Sequence, residues 1–362
     1  MGSILLTGIA GFIGSHLAES LARDGWPIRG VDAFTDTYAP RQKWDNLAAV
    51  ARSSNVELAT ADLARDDLHG LLEDVDAVVH LAGEPGVPAS WGPAFATYVE
   101  RNITATQRLL EAAATAGVSR FVYASSSSVY GPAERQLVES AVPRPLSPYG
   151  ASKLAGEVLV GAYAQERGLS TVSLRYFSVY GPRQRPDMAA HRFIEALLDR
   201  RPVPVYGDGR QARDFTYVAD VVAATSAALT ASVPTGSVFN IAKGEPVEVR
   251  ELIAMLAEEL GVEPCIERRP ERVGDTQRTE GCADAARDLL RWEPVTDLRS
   301  GLRRQVEWHL RRRLEPEASS LDPAADAVPY DPVPAVHPGV ALEAIGADAV
   351  RSDAYDLRRA VR

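Results

Sequence analysis

Short apolar runs alternate with longer amphipathic stretches through the first half of the chain, at residues 4–7, 28–32, 56–59, 77–81, 121–124 and 171–174. Runs this short, bounded by turn residues, predict buried parallel strands. Between them, residues 12–24, 102–116 and 149–167 carry apolar positions at helical spacing, and Gly25, Gly117 and Gly168 stand where a helix would stop. The alternation predicts an α/β fold, a Rossmann-type doubly wound parallel sheet over residues 1–181. From residue 182 the pattern loosens into helical segments at 188–200, 218–230, 249–260 and 298–311, with arginine-bearing loops between them. They predict a smaller α/β C-terminal lobe over 182–314. Residues 315–362 turn to Ala, Pro, Asp and Val, with prolines at 329, 332, 334 and 338, and are expected to be an appendage, with a short docked helix at 342–362 as the alternative.

Composition adds limits. A chain of 362 residues with 46% hydrophobic and 24% charged positions can bury a full core and build two lobes. Its net charge of −10 gives no footprint for nucleic acid or an anionic membrane, so a phosphate-bearing ligand must be held by local arginines and helix ends. No apolar run reaches about twenty residues and the start lacks a secretory pattern, which places the chain in the cytoplasm. Cys265 and Cys282 are too isolated for a disulfide framework or a metal knuckle, and no metal is expected.

Gly8, Gly11 and Gly14 lie in Gly8-Ile9-Ala10-Gly11-Phe12-Ile13-Gly14, directly between the first predicted strand and the first long helix. Glycine there allows a tight turn and close backbone approach, while the helix start offers unpaired N–H groups to a pyrophosphate. Phe12 and Ile13 belong to the same turn. Asp32 ends the second strand, where a carboxylate accepts the adenosine ribose hydroxyls and repels a 2′-phosphate, so the expected cofactor is NAD. Arg29, Arg41 and Lys43 lie near in sequence and are the groups that would compensate a 2′-phosphate; Lys43 is counted among the cofactor contacts. Asp62 and Leu63 fit the adenine edge, with a helix N-cap as the alternative for Asp62. Leu81, Ala82 and Gly83 supply the small residues needed where backbone passes under a cofactor.

Tyr149 and Lys153 stand four residues apart after the serine run 125–128, in a chain whose 39 basic residues include only three lysines, Lys43, Lys153 and Lys243. An ammonium can lower the pKa of a neighbouring phenol and also bond a ribose, which a broad, forked guanidinium does less well.

These residues, with Thr-Gly-x-x-Gly-Phe-Ile-Gly-Ser-His-Leu at 7–17, Ser-Ser-Ser-Val-Tyr-Gly at 126–131, Ser-Pro-Tyr-Gly-x-Ser-Lys at 147–153, Arg-Tyr-Phe-x-Val-Tyr-Gly-Pro at 175–182 and Arg-Asp-Phe-x-Tyr-Val-x-Asp at 213–220, resemble the extended short-chain dehydrogenase/reductase family, in its nucleotide-sugar epimerase and dehydratase branch. The resemblance covers residues 3 to about 310. It implies that Tyr149 takes a proton from the sugar 4-hydroxyl while the hydride leaves for NAD, with Lys153 and the nicotinamide charge lowering its pKa. Ser126 would bond the same oxygen. Similar dehydratases carry Asp-Glu at the next two positions and similar decarboxylases keep a Glu; this chain has Ser127 and Ser128, expected to touch substrate without supplying an acid. The ketone would then take the hydride back on its other face, which is epimerisation at carbon 4.

The same resemblance implies a UDP-sugar substrate, with Arg213 and Arg272 on the diphosphate and Asp275 on the nucleotide ribose. Arg192 and Phe193 complete this end, Phe193 by packing on the base unless it is an ordinary core phenylalanine. The segment 181–189, Gly-Pro-Arg-Gln-Arg-Pro-Asp-Met-Ala, is similar to an element of UDP-glucuronate 4-epimerases, which makes Arg185 the expected carboxylate clamp; Ser178, where hexose epimerases usually carry Asn, agrees. One departure is Pro85-Gly86-Val87-Pro88, which lacks a substrate-side arginine. The rivals are a UDP-glucose 4-epimerase, a UDP-glucuronate decarboxylase and a non-enzymatic NAD-binding sensor on the same fold. Helices at 93–117 and 149–167 resemble the family's dimer bundle and imply a homodimer.

Overall fold

In a computed structural model, described over residues 2–132, 135–314 and 328–329, seven parallel strands form the central sheet. In chain order the elements are β1 (Ser3–Thr7), α1 (Phe12–Arg23), β2 (Ile28–Asp32), α2 (Pro40–Leu47), β3 (Val56–Thr60), β4 (Val75–His80), α3 (Phe95–Tyr98), α4 (Ala105–Ala116), β5 (Arg120–Ser126), α5 (Pro148–Glu166), β6 (Thr171–Tyr176) and β7 (Ser178–Tyr180). There follow α6 (Ala189–Leu198), β8 (Val203–Tyr206), β9 (Ala212–Tyr217), α7 (Val218–Thr230), β10 (Ser237–Ile241), β11 (Pro246–Glu248), α8 (Val249–Leu260), β12 (Ile266–Arg269) and α9 (Leu298–Leu314). The sheet runs β10-β6-β5-β4-β1-β2-β3, and a two-residue strand, Val328–Pro329, pairs in parallel with the outer edge of β3.

The strand order reverses between β1 and β4. Chains leaving those two strands diverge to opposite sides, so a crevice opens beyond their C-terminal ends, the place where open parallel sheets bind ligands. Two apolar clusters cover the sheet: Leu17, Val221 and Leu252 belong to the one under α1, α7 and α8, and Leu109, Leu110 and Val160 to the one under α4 and α5.

Every predicted strand and helix of the first half is present, with ends shifted by a few residues. The helix expected from residue 102 begins earlier, because a π-helical segment, Val99–Thr104, joins α3 to α4 without a break. The second half differs more. Its segment 237–241 is a strand of the main sheet, paired in parallel with β6, so the sheet does not end at residue 181. The run Ser-Val-Phe-Asn-Ile is short and lies between loops, which hid it, but Phe239 and Ile241 are buried and only a sheet edge accommodates them. The remaining second-half strands form a three-stranded sheet, β11-β9-β7, and a pair, β12-β8. Apart from Val328–Pro329, the tail expected at 315–362 lies outside the described residues, and all described residues belong to one compact unit, Met1–Tyr330.

Helix α5 approaches β5 so closely that a Cβ at Gly156 would lie 2.2 Å from the Tyr123 hydroxyl, which is itself fully buried. Gly156→Ala should therefore destabilise the protein by about 1–3 kcal/mol through overpacking. Urea unfolding of both proteins measures the difference, and a loss under about 0.5 kcal/mol would show that the contact yields easily.

Candidate active site

Beyond the C-terminal ends of β1, β2, β4 and β5 lies a cleft with an empty volume of about 1270 Å³, its open mouth included. Gly8, Gly11, Phe12, Ile13 and Gly14 line it after β1, Asp32 and Lys43 at β2, Asp62 and Leu63 after β3, and Leu81, Ala82 and Gly83 after β4. Tyr149, Lys153 and Arg185 close its far end. Residues from six separate stretches of sequence thus meet in one crevice.

The glycine turn has the shape a pyrophosphate needs. Gly8 has φ +71°, and a Cβ there would meet the Ala82 backbone nitrogen at 2.9 Å; at Gly14 it would meet the Gly8 carbonyl at 2.1 Å. Helix α1 starts at Gly11 with no side-chain cap and no acidic residue in its first turn, so its positive end is left to a ligand. The Asp32 carboxylate is buried, and its Oδ1 accepts from the Phe34 N–H at 2.8 Å and from Lys43 Nζ at 3.1 Å. Lys43 is thereby committed to Asp32. Arg29 points elsewhere, to Glu57 and to the carbonyls of Gly70, Leu71 and Glu73. Asp62 is not a helix cap: its Oδ1 accepts from the Ala64 N–H in a turn, because no helix follows β3 directly.

Ser147 and Pro148 begin α5, with Ser147 Oγ accepting from the Gly150 N–H at 3.1 Å. That start puts Tyr149 in the first helical turn and Lys153 one turn later, on the face toward the cleft. Gly150 lets the serine loop close on them, since a Cβ there would lie 2.4 Å from the Ser128 carbonyl. Ser126 Oγ accepts from the Ser128 N–H at 3.1 Å and lies close enough to the Tyr149 phenol to favour its ionised form. Burial pushes the Tyr149 phenol above its ordinary range, against the pull of Ser126 and of the Arg185 charge. Lys153 was expected to be the group that lowers this phenol. Instead it is itself buried, 4.4 Å from the centre of the Tyr123 ring, and burial brings its ammonium down to about 7 although the Glu157 carboxylate opposes this. A group at the bottom of a dry cleft loses its own hydration before it can stabilise a neighbour's charge.

Arg185 lies at the same end of the cleft, within electrostatic reach of Tyr149, and is gripped by Asp187 through Nε and Nη2, both at 3.0 Å. The Pro85-Gly86-Val87-Pro88 loop holds no arginine; the Tyr98 hydroxyl donates to the Pro85 and Gly86 carbonyls, and the Tyr98 ring stands edge-on to Tyr149.

Ser126, Ser127, Ser128, Ser178, Arg192, Phe193, Arg213, Arg272 and Asp275 do not line this cleft, although Ser126 follows directly on the lining residue Ser125. Arg213 pairs with Asp275. The Arg272 guanidinium lies 3.6 Å from the centre of the Tyr206 ring, and hydrogen bonds from Arg272, aided by Arg192 and Arg269, bring the Tyr206 phenol down to about 8. This is a concentrated positive patch suited to an anion. Phe193 is 5% exposed and packed in the larger apolar cluster, because it falls on the inward face of α6 beside Ile194 and Leu197, which leaves the core reading and not the base contact. Tyr206 went unread in the sequence, as did Asn102, whose side chain accepts from the Glu84 N–H and donates to the Glu84 carbonyl and to Ser152 Oγ. Only the π-helical turn carrying Asn102 aims it there, and nothing in the sequence announces such a turn.

A Rossmann cleft with a glycine turn, an acidic strand end and a Ser/Tyr/Lys set defines a nucleotide-dependent enzyme of the short-chain dehydrogenase/reductase type. Residues 4–242 match the NAD dependent epimerase/dehydratase family, and the chain belongs to it. It is 40% identical over 306 residues to a Bacillus subtilis protein described as the uncharacterized UDP-glucose epimerase YtcB, covering 84% of this chain and 97% of that one. It is 37% identical over 314 residues to the UDP-glucuronate 4-epimerase of Thermodesulfobacterium geofontis, covering 85% and 96%. The crystal structure of the Bacillus cereus UDP-glucuronic acid 4-epimerase with UDP-glucuronic acid and NAD superimposes with a TM-score of 0.84 at 39% identity, over 85% of this chain and 99% of that one. Among the described residues no helix is long and apolar enough to cross a membrane.

The Lys153 shift has a consequence for stability. Between about pH 7 and 10.5 the unfolded chain holds a proton on this lysine that the folded protein has released, so the Lys153 contribution to stability rises with pH across that window. In cofactor-free protein the unfolding free energy of the parent should gain on that of Lys153→Met from pH 7 to 9.5. Parallel urea titrations at the two pH values measure it, and a constant gap would mean that Lys153 keeps its ordinary pKa.

Proposed function

We propose that this chain is a cytoplasmic, homodimeric UDP-glucuronate 4-epimerase. The observation that carries the reading is Arg185: a cation at the reacting end of the cleft, beside Tyr149, with Nη1 not used by its Asp187 partner and so available to a sugar carboxylate. The relatives in Thermodesulfobacterium and Bacillus cereus support it.

The glycine turn, the uncapped start of α1 and the second oxygen of Asp32 fit the pyrophosphate and adenosine ribose of NAD. When bound, NAD would supply a reversible hydride acceptor for carbon 4 and a positive charge. Tyr149 takes the proton of the 4-hydroxyl and later gives it back, Ser126 bonds the same oxygen, and Lys153 would hold a cofactor ribose. The patch of Arg192, Arg272 and Tyr206, with Arg213 and Asp275, receives the nucleotide diphosphate and its ribose.

Carbon dioxide loss needs the carboxylate bond aligned with the 4-keto π system, and a pinned carboxylate is held out of that alignment. Elimination or decarboxylation also needs an acid. Ser127 and Ser128 supply none, and although burial raises the Asp187 carboxyl, Arg185 outweighs it and holds the group below the ordinary carboxylate range. The dimer reading rests on exposed Phe95 and Val99 on the α3–α4 helix and Val158 on α5. The UDP-glucose reading draws on the Bacillus subtilis relative and on the arginine-free Pro85–Pro88 loop.

Purified protein incubated with UDP-glucuronate and no added NAD should yield UDP-galacturonate by NMR; a predominantly xylose nucleotide would make it a decarboxylase. Arg185→Ala should lower turnover of UDP-glucuronate about 10–100-fold, the worth of a charge-assisted pair, and that of UDP-glucose much less. Equal losses would reduce Arg185 to a structural residue. Tyr149→Phe should cost about 10²–10⁴-fold in kcat with either substrate.

A further inference from the structure

Away from the cleft, α6 and α9 meet at three side chains that the proposed reaction does not use. His191 and Glu195 are four residues apart on one face of α6, and His309 joins them from α9; one donor atom of each lies within 4.8 Å of the others. His309 is 2% exposed and His191 9%. His191 Nδ1 bonds the Gln184 carbonyl at 2.7 Å, which leaves the lone pair of that ring on Nε2, the arrangement that holds metal-ligating histidines. His309 Nδ1 and Glu195 Oε1 face each other at 2.5 Å, sharing a proton that a metal ion would displace.

We propose that His191, Glu195 and His309 bind a divalent transition metal of the zinc class, which staples α9 to α6. Two imidazoles and a carboxylate suit that class, and water would complete four-coordination. Metal–nitrogen bonds of about 2.0–2.1 Å require the three donors to re-space around the ion, His309 and Glu195 parting to admit it, and Glu195, whose side chain is 31% exposed, has both the freedom to move and the opening to solvent that an ion needs. The positive charge nearby is offset: Arg313 reaches Glu195 but also pairs with Asp199 at 2.8 Å, and Arg312 lies over the Trp308 ring. The site also adjoins the Arg185 loop, since Gln184 Oε1 accepts from both the His191 N–H and the Gln305 side chain. Only the packing of α9 on α6 brings His309 to a pair 114 residues earlier, which is why no metal spacing is visible in the sequence.

Full-length protein stripped of metal is titrated with Co²⁺ while visible absorption is followed, and then with Zn²⁺. One equivalent of Co²⁺ should give the bands of a four- or five-coordinate nitrogen/oxygen site, Zn²⁺ should erase them, and a hundredfold excess of Zn²⁺ over its Kd should raise the unfolding temperature by roughly 3–5 °C. His309→Gln and, separately, His191→Gln should each weaken Co²⁺ binding at least ~10-fold with unchanged circular dichroism, while His69→Gln, at an exposed position, should not. If one variant fails to fold, the other decides. No bands in the parent, or bands as strong in a folded histidine variant as in the parent, overturn the proposal.

Discussion

The chemistry depends on one buried ion pair. Glu157 and Arg175 are 8% and 4% exposed, and Glu157 Oε1 and Oε2 accept from Arg175 Nη2 and Nε at 2.5 and 3.0 Å, while Ser125 Oγ donates to the same carboxylate at 2.6 Å. Glu157 lies on α5, one turn past Lys153 and two past Tyr149; Ser125 ends β5 and Arg175 belongs to β6. The pair therefore fixes the catalytic helix against the two strands whose ends frame the reacting part of the cleft. Removing one member leaves a buried charge unpaired, which typically costs about 3–5 kcal/mol. Arg175 extends the tie, donating to the Tyr130 hydroxyl at 2.7 Å and the Glu139 carbonyl at 3.2 Å, and Tyr130 in turn donates to Asn240 of β10.

The same carboxylate reaches into the reaction. Burial lowers the Lys153 ammonium, and Glu157 is the charge that counters it. The structural anchor of α5 is thus also what favours the charged form of the lysine. Tyr149 has a parallel dependence: burial holds it protonated, and what opposes burial is the nearby Ser126 and the charge of Arg185. A phenol in this position becomes a base only as further positive charge arrives beside it, which couples its reactivity to a filled cleft. Proton removal from an exposed, unliganded site is suppressed by the same burial.

How much of this was legible in the sequence follows from which interactions are local. The glycine turn, Asp32 and the Ser147-Pro148-Tyr149 helix start are dictated by backbone needs within a few residues, and they stand in the cleft where their spacing put them. Glu157 drew no reading from the sequence, because only the sheet supplies Arg175 and buries the pair. Phe193 was open in the sequence between a base contact and the core, and its place on the inward face of α6 favours the core. Strand β10 was hidden because a five-residue apolar run acquires its meaning from the edge of β6, and Asn102 because a π-turn re-aims it. The burial that lowers the Lys153 ammonium was not legible, since desolvation is a property of the finished cleft and not of the chain.

On the proposed reading, discrimination between a charged and a neutral sugar would rest on Asp187. A cleft arginine without a partner would reject a hexose strongly, because binding it would leave a desolvated charge unsatisfied, as sites built around an obligatory polar contact do. Here Asp187 already takes two of the guanidinium's donors, so a hexose leaves Arg185 paired and loses only the bond a carboxylate would have made to Nη1. The preference for glucuronate is then limited to the worth of that added interaction rather than to the penalty of an orphaned charge. Asp187 also carries negative charge close to where the sugar carboxylate would lie, which trims the preference further. An arginine held in this way would orient a carboxylate against alignment with the keto group without making the cleft intolerant of a neutral sugar, so the Arg185-Pro186-Asp187 element is compatible with the similarity to the uncharacterized Bacillus subtilis relative.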